Sequence, residues 1–547
     1  MRWMAIRIAP DHDERFSLVG FAAFTHSAAD MRYFLSLIGL FFVLCGTSLA
    51  ASESSASAAE EVKSFGEAPD EWIDREIGPY LDRVTGKVFY GVTIATDNAG
   101  EPVKLPVVVV WLGLAAVIIT VYFKFLNLRS WKLAARTVAG KYSSKDDPGE
   151  ITHFQALCAA LSGTVGLGNI AGVAIAIGAG GPGATFWMIL IGLFGMTSKF
   201  CECTLGVKYR TIENGKVYGG PMQYLKKGLA EKNLGMLGVI LAGVFAFLCI
   251  GGSFGGGNMV QANQACDQLA GVLGEDSFLA QNRWAFGVIM GVTVGLVIIG
   301  GIKSIATVTA TLVPFMCGIY MLAGIFVIAV NIGEVGTAFT VIFKGAFAPE
   351  AIGGGVIGVM IQGMKRATFS NEAGIGSAPI AHSAAKTKFA ASEGIVALLE
   401  PFIDTVVVCT TTALVIIMAG TYDTPGIEGV AMTSEAFGSV ISWFPIILTV
   451  AVILFAFSTM ISWSYYGVQA WSHLFGHSTR AELTYKVIFC LFVVLGASLG
   501  MQKVFDFSDA MIFAMSVPNV IAMYLLMPKV KDEYVRYLEH TQSEDAS

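Results

Sequence analysis

Long apolar stretches separated by short polar ones run the length of the chain and set the elements it predicts. A helix needs roughly 20 apolar residues to cross about 30 Å of hydrocarbon. Stretches near that length fall at 107–123, 155–178, 183–206, 236–262, 284–301, 305–331, 350–364, 395–419, 438–464, 484–500 and 508–528. The pattern predicts an all-α integral membrane protein of about eleven spans. The stretch at 350–364 is the shortest of them and is rich in glycine.

The N-terminal region follows a different pattern. Met31-Arg32, the apolar run Tyr33 to Val43 and the small residues of Ser48-Leu49-Ala50 match a secretory signal peptide. The other reading is an additional membrane helix. On the first reading residues 1–50 comprise an upstream extension and the signal peptide, with Met31 the better start. Residues 51–103 then form a short periplasmic segment, 104–530 the membrane domain, and 531–547 a cytoplasmic tail.

Composition agrees with a bilayer as the main solvent. The 547 residues are 54% hydrophobic and 14% charged, where a soluble domain carries about 25% charged residues. The net charge of -6 is small and spread out, and gives no sign of a nucleic-acid partner. Cysteines such as Cys158, Cys249, Cys317, Cys409 and Cys490 fall inside apolar runs, as small buried residues rather than a disulfide framework. Lysine and arginine concentrate on alternate loops. One set holds Lys124, Arg129, Lys132, Arg136 and Lys141, then Lys199, Lys208 and Arg210, and later Lys365, Arg366, Lys386, Arg480 and Lys529; the opposite set holds only Arg283, Lys344 and Lys503. By the positive-inside rule the N-terminus lies outside and the C-terminus inside, in a bacterial inner membrane.

The densest chemical signal is Ser162-Gly163-Thr164-Val165-Gly166-Leu167-Gly168-Asn169-Ile170-Ala171-Gly172. Each glycine weakens a helix by about 1 kcal/mol relative to alanine. A helix broken here leaves backbone groups that hydrocarbon does not tolerate unless a cavity or ligand satisfies them. Freed amides near Gly166–Gly168 suit a carboxylate, and freed carbonyls with Thr164 and Asn169 suit a small cation. A glycine face for helix packing is the competing reading, but it does not account for Asn169 at membrane depth. A second interruption is expected at Gly353-Gly354-Gly355, Gly358 and Gly363. With the first helix set aside, the two broken helices are the first and sixth of ten, which points to an inverted-repeat transporter.

Longer blocks make a resemblance specific. Phe154-Gln155-Ala156-Leu157-Cys158, Thr164 to Ala174, Gly219-Gly220-Pro221-Met222-Gln223-Tyr224 and Gly257-Asn258-Met259-Val260-Gln261-Ala262-Asn263 are similar to the alanine or glycine:cation symporter family. So are Phe369-Ser370-Asn371-Glu372-Ala373-Gly374, Gly376-Ser377-Ala378-Pro379, Phe455 to Thr459, and Trp463-Ser464-Tyr465-Tyr466-Gly467. The resemblance implies a leucine-transporter-like fold of two inverted five-helix repeats (5+5) with one extra N-terminal transmembrane helix. It also implies a transporter domain over 104–530 that moves a small neutral amino acid, alanine or glycine, with sodium. Neither enzyme activity nor a cofactor beyond Na+ as coupling ion is implied, and the partners are the amino acid, Na+ and membrane lipid.

Carried over residue by residue, the resemblance places the substrate carboxylate at Gly166, Leu167 and Gly168, with Asn258 and Gln261 facing it and Gly354, Gly355 and Gly358 opposite. It places one sodium at Thr164 and Asn169, and a second at Ser162, Val165, Ser458 and Thr459. Ser458 and Thr459 taken alone read equally as ordinary helix hydroxyls. Asn371 and Glu372 serve either an inner gate or a turn and cap. Glu400 and Asp404, one turn apart, serve either an ion or proton path, or lie shallow enough to meet cytoplasmic water or pair with an inner-loop lysine. Glu400 and Asp404 keep proton coupling open as the alternative to sodium. Cys201-Glu202-Cys203 reads as a helix end, since no matching Cys/His pair follows. One block departs from the family pattern: Thr185 stands where an aliphatic residue is expected, and Ile189 where tryptophan is usual.

Overall fold

The computed structural model describes residues 78–96, 102–144, 146–274, 276–347 and 355–546. The signal-peptide stretch, most of 51–103, and Gly353 and Gly354 lie outside the described residues. The described part begins with a helix at Gly78–Val88 and an antiparallel hairpin, β1 (Gly91–Thr96) with β2 (Pro102–Pro106).

Helices then follow almost without interruption. The first is α1 (Val107–Tyr122), whose Leu114, Val117, Ile118 and Val121 are exposed, as a lipid-facing surface requires. Next come α2 (His153–Thr164), α3 (Ala171–Gly180), α4 (Ala184–Tyr209), α5 (Pro221–Ala230), α6 (Gly235–Phe254), α7 (Val260–Leu273), α8 (Arg283–Ile298) and α9 (Gly301–Val330). The second part contains α10 (Val335–Phe347), α11 (Gly355–Asn371), α12 (Ala378–His382), α13 (Ala390–Ala397), α14 (Thr410–Ala419), α15 (Gly429–Gly438), α16 (Phe444–Phe475), α17 (Thr479–Ser498) and α18 (Met501–Ala546). Among the described residues seven helices are long and apolar enough to cross a membrane, and the bent pair α2–α3 makes an eighth. Residues 531–546 are helical and continue α18; there Tyr537 bonds Thr137 at 2.8 Å.

The first predicted break is where the glycines place it. Thr152 and Gln155 start α2 with a reciprocal capping box, α2 stops at Thr164, and α3 leaves at 57° to it. The second break is not where the glycines suggested. Gly355 and Gly358 lie inside α11, which runs unbroken to Asn371; the interruption falls at 372–377. Glu372, Gly374 and Gly376 there take φ of 56°, 85° and 90°, left-handed values that glycine adopts freely and Glu372 holds only with side-chain anchors.

The packing brings the two breaks together. α2 packs on α9 and α16, α3 on α11 and α15, and α6 on α16 and α18. Two local widenings of the helix, with i→i+5 bonding, mark the same zone: Gly255–Met259 between α6 and α7, and Phe402–Cys409 before α14. Gly257 is required by close approach, because a methyl there would enter the ring of Trp463.

Candidate functional site

At the first break the freed amides are already satisfied by side chains. The N–H of Gly166 donates to Asn169 Oδ1 at 2.8 Å, and that of Leu167 to Gln261 Oε1 at 3.1 Å. Gln261 anchors its other end by donating to Gly256 O at 2.8 Å, within the widened turn. Two neutral amide oxygens thus stand where the sequence reading put the substrate carboxylate, and Gln261 reaches the break from α7.

The amide nitrogen of Asn169 leads to the central feature. It donates to Asp404 Oδ1 at 2.5 Å and to Asp404 O at 3.1 Å. Ser370 Oγ and Thr405 Oγ1 donate to the other carboxylate oxygen, at 2.8 and 2.7 Å. Asn371 donates to Thr405 Oγ1 at 3.0 Å, tying the end of α11 into the same cluster. Asp404 is fully buried. All its hydrogen-bond donors are neutral, and among the described residues no lysine or arginine pairs with it. Asp404 is thus enclosed by protein on every side.

The other expected site residues divide. Ser162 Oγ donates to Ser458 O at 2.5 Å, so the second cation set does bring α2 and α16 into contact. Ser458 Oγ returns to Phe455 O at 2.9 Å, and Thr164 Oγ1 to Ala160 O at 3.3 Å, both within their own helices. Thr459 Oγ1 lies over Gly166, buried and without a partner. Asn258 is turned away: its Nδ2 donates to Phe489 O on α17 at 2.6 Å. Glu372 bonds Ser377 and accepts from Trp463 Nε1 at 2.9 Å, so its carboxylate staples the second break to α16. Gly355 and Gly358 sit in the outer turns of α11, away from the break at 372–377.

Of a second buried polar cluster, the sequence reading offered only Glu400 with an inner-loop lysine. His153 on α2 bonds Glu393 on α13; the two ring nitrogens of His382 face Glu393 and Glu400; Lys199 on α4 donates to Glu400 Oε2 at 3.1 Å. The side chains of Lys199, His382, Glu393 and Glu400 are all inaccessible to solvent. Lys199 is therefore no loop residue, and it lies within α4. Cys201, Glu202 and Cys203 are buried within α4 rather than at its end, and Glu202 accepts from Asn519 on α18 at 2.8 Å. Ligand atoms of Cys203, His382 and Glu400 come within 4.8 Å of one another, with both ring nitrogens of His382 already facing carboxylates. The signal that pointed here was a set of ionisable residues inside apolar runs. Thr185, the departure noted above, is buried with its hydroxyl unpartnered.

Discontinuous helices whose broken turns face each other across a buried polar cluster define a membrane transporter rather than an enzyme. The fold agrees with a solved structure: MhsT in complex with L-phenylalanine superimposes with a TM-score of 0.51 at 16% identity, over 69% of this chain and 89% of that one. The chain belongs to the sodium:alanine symporter family, whose profile matches residues 91–547. Among its relatives is the sodium/alanine symporter AgcS of Methanococcus maripaludis, 39% identical over 80% of this chain and 96% of that protein. Another is the probable sodium/glutamine symporter GlnT of Bacillus subtilis, 34% identical over 74% of this chain and 82% of that protein. Members of the family are symporters that carry their substrates across membranes; they are not enzymes.

Proposed function

We propose that this protein takes up a small neutral amino acid, alanine or glycine, together with sodium by alternating access, in a bacterial inner membrane with its N-terminus outside. The observation that carries this reading is the carboxylate of Asp404, buried beside the first break and held only by neutral donors. A buried charge without a counter-ion costs several kcal/mol. Hydroxyl and amide oxygens around a carboxylate are hard ligands suited to a small cation. A hydroxyl keeps two lone pairs while its proton is donated, so Ser370 and Thr405 have oxygen to offer sodium without leaving Asp404. Asn169 joins them by turning its amide. The first sodium then sits on Asp404, Asn169, Ser370 and Thr405, and Thr164 does not take part. The second sits among Ser162, Val165, Ser458 and Thr459, where an unpartnered hydroxyl meets the end of α2. The substrate carboxylate replaces the oxygens of Asn169 and Gln261 at the amides of Gly166 and Leu167, and Gly168 leaves it room.

A 5+5 architecture is supported by element order. Each half runs as a broken helix, a long helix, a short helix (α5 or α15) and three further spans. The short helix of each half sits against a half-helix of the opposite break: α15 on α3, and the start of α5 on Gly376 and Ile380 by α12. Counting the seven long helices, the bent pair, α1, α8 and α11–α12 as spans makes eleven. For alternating access, the chain from His153 through Glu393, His382 and Glu400 to Lys199 joins the first, second, sixth and seventh core helices into one body, which rocks against the rest. A cavity of about 420 Å³ on the His153 side, lined by Glu150, Ile302, Tyr465, Gln469 and Lys486 among others, supplies the cytoplasmic exit. A proton in place of sodium is the second reading, because it neutralises Asp404 equally well.

The experiment is uptake of labelled alanine and glycine into proteoliposomes under an inward sodium gradient, with potassium replacing sodium in the control. Sodium-dependent accumulation is the expected result. Accumulation that ignores sodium and follows a pH gradient transfers the coupling to a proton. Equilibration without accumulation under either gradient overturns symport.

A further inference from the structure

The chain between α4 and α5 has no part in the transport cycle above, although it walls one side of the cavity assigned to the exit. It is a hairpin of β3 (Thr211–Glu213) and β4 (Lys216–Tyr218), and its Asn214, Lys216, Val217 and Tyr218 line that cavity. Asn214 and Gly215 close the hairpin with φ of 52° and 74°. Two turn residues at positive φ match the natural twist of the strands, which makes a short, stiff unit.

Both ends of the hairpin are fixed to the body that rocks. Arg210, the residue before β3, donates to the carbonyls of Pro148, Ser383, Ala385 and Thr387 at 2.7, 2.7, 2.6 and 2.8 Å. These carbonyls belong to the lead-in to α2 and to the linker between α12 and α13. The N–H of Gly220, just after β4, donates to Ser383 Oγ at 3.2 Å. The same lead-in is joined to the linker through Glu150, whose N–H donates to Ala384 O at 2.7 Å.

The far edge of the hairpin reaches the other body. Val217 pairs with Ile212, and its own polar groups point away from that strand. Its N–H donates to Glu150 Oε1 at 2.7 Å, whereas its carbonyl accepts from Gln469 Nε2 on α16 at 3.4 Å. One buried residue thus gives its donor to the rocking body and its acceptor to the scaffold. Lys216 Nζ meets Glu482 Oε1 on α17 at 3.4 Å, and the Tyr218 ring centre lies 4.2 Å from that of His477 between α16 and α17. The fastening is therefore unequal. Charge-assisted bonds of normal length hold the hairpin to the rocking body. Long contacts and an ion pair whose lysine side chain is 61% exposed join it to the scaffold, and exposed pairs contribute little.

A junction held firmly on one side and lightly on the other parts at the light side when two rigid bodies move. We propose that the β3–β4 hairpin is the cytoplasmic gate of the transporter. Seated on Gln469, Glu482 and His477 it closes the exit cavity, and the rocking of the body that carries it lifts it away to release the substrate. Glu150 is a positioning residue that keeps the hairpin aligned with its seat. The gate rests on the alternating-access reading above.

The test joins Lys216→Cys to Glu482→Cys in the full-length protein with a short, reducible, bifunctional thiol reagent before reconstitution. Linking should abolish sodium-driven alanine uptake, and dithiothreitol should restore it, which shows that the paired variant is folded. Alanine binding at saturating sodium should be unchanged by the link, and each single variant treated with the same reagent should keep its uptake. Linked protein that carries alanine as fast as reduced protein overturns the gate and leaves symport intact. A pair that cannot be linked takes the hairpin off α17 and overturns the gate as well. Loss of alanine binding together with uptake assigns the effect to a distorted fold and likewise overturns it. Absence of sodium-driven uptake before linking overturns the symport reading and the gate together.

Discussion

Glu400 and Asp404 stand one turn apart on the same stretch of chain, are both fully buried, and live in opposite electrostatic conditions. Glu400 meets Lys199 at 3.1 Å and His382 at 2.5 Å, both able to carry positive charge. Asp404 meets an amide and two hydroxyls. Both carboxylates lose the same hydration, and only one recovers it from the protein's own charges. The difference separates an architectural acid from one that needs something from outside. Removing either member of a matched pair strands a charge, while removing an unmatched acid strands nothing and deletes only the attraction it exerts.

The largest expected effect breaks the matched side. Lys199→Met should lower stability by about 3–5 kcal/mol, since Glu400 is left buried and unpaired. Thermal unfolding in detergent measures it, and Lys199→Met combined with Glu400→Met should recover much of the loss. If the single variant melts like the wild type, the chain through Glu400 is not what holds the helices together. Asp404→Asn tests the unmatched side. Sodium-driven uptake should fall about a hundredfold, roughly 3 kcal/mol, with the sodium-free melting temperature unchanged or raised. A variant that keeps its sodium dependence removes Asp404 from the cation site.

Smaller changes sharpen the contrast. Asn169→Ala removes both the cap on Gly166 and a donor to Asp404, and should cost uptake about thirtyfold, near 2 kcal/mol. Ser370→Ala leaves the charge in place and removes one oxygen. It should raise the sodium KM about five- to tenfold while the alanine KM stays within about a factor of two. A shift confined to the alanine KM would move Ser370 from the cation to the substrate.

These contrasts also mark what the sequence could and could not disclose. The first break was legible because Gly166 and Gly168 weaken the helix locally, and that signal lies within a few residues. The second was misplaced. Three consecutive glycines drew attention to 353–355, whereas the turn at 372–377 is made by Glu372, Gly374 and Gly376, with Glu372 held by Ser377 and Trp463. Asp404 stood out as an intramembrane acid, but hydropathy carries no depth, so its neighbour Asn169 on another helix could not be inferred. Lys199, Lys365 and Arg366 were counted with the inner-loop cations for the same reason. What places Lys199 inside the protein is Glu400, 201 residues further on, and His153 meets Glu393 across 240. Periodicity reports which residues are apolar together; it does not report which charges meet.

The lone charge at Asp404 has an electrical consequence. On the proposed reading, the site is neutral with sodium seated, and without it carries one negative charge through the membrane field. Moving one elementary charge across that field involves about 2.3 kcal/mol per 100 mV. At this site the resting potential would therefore act on the return of the unloaded carrier, driving the bare carboxylate toward the positive side, while a sodium at the second site would bring its own charge to the loaded step. Voltage would then bear on both the reset and the loaded step, and the sodium gradient on how full the protein is when it departs.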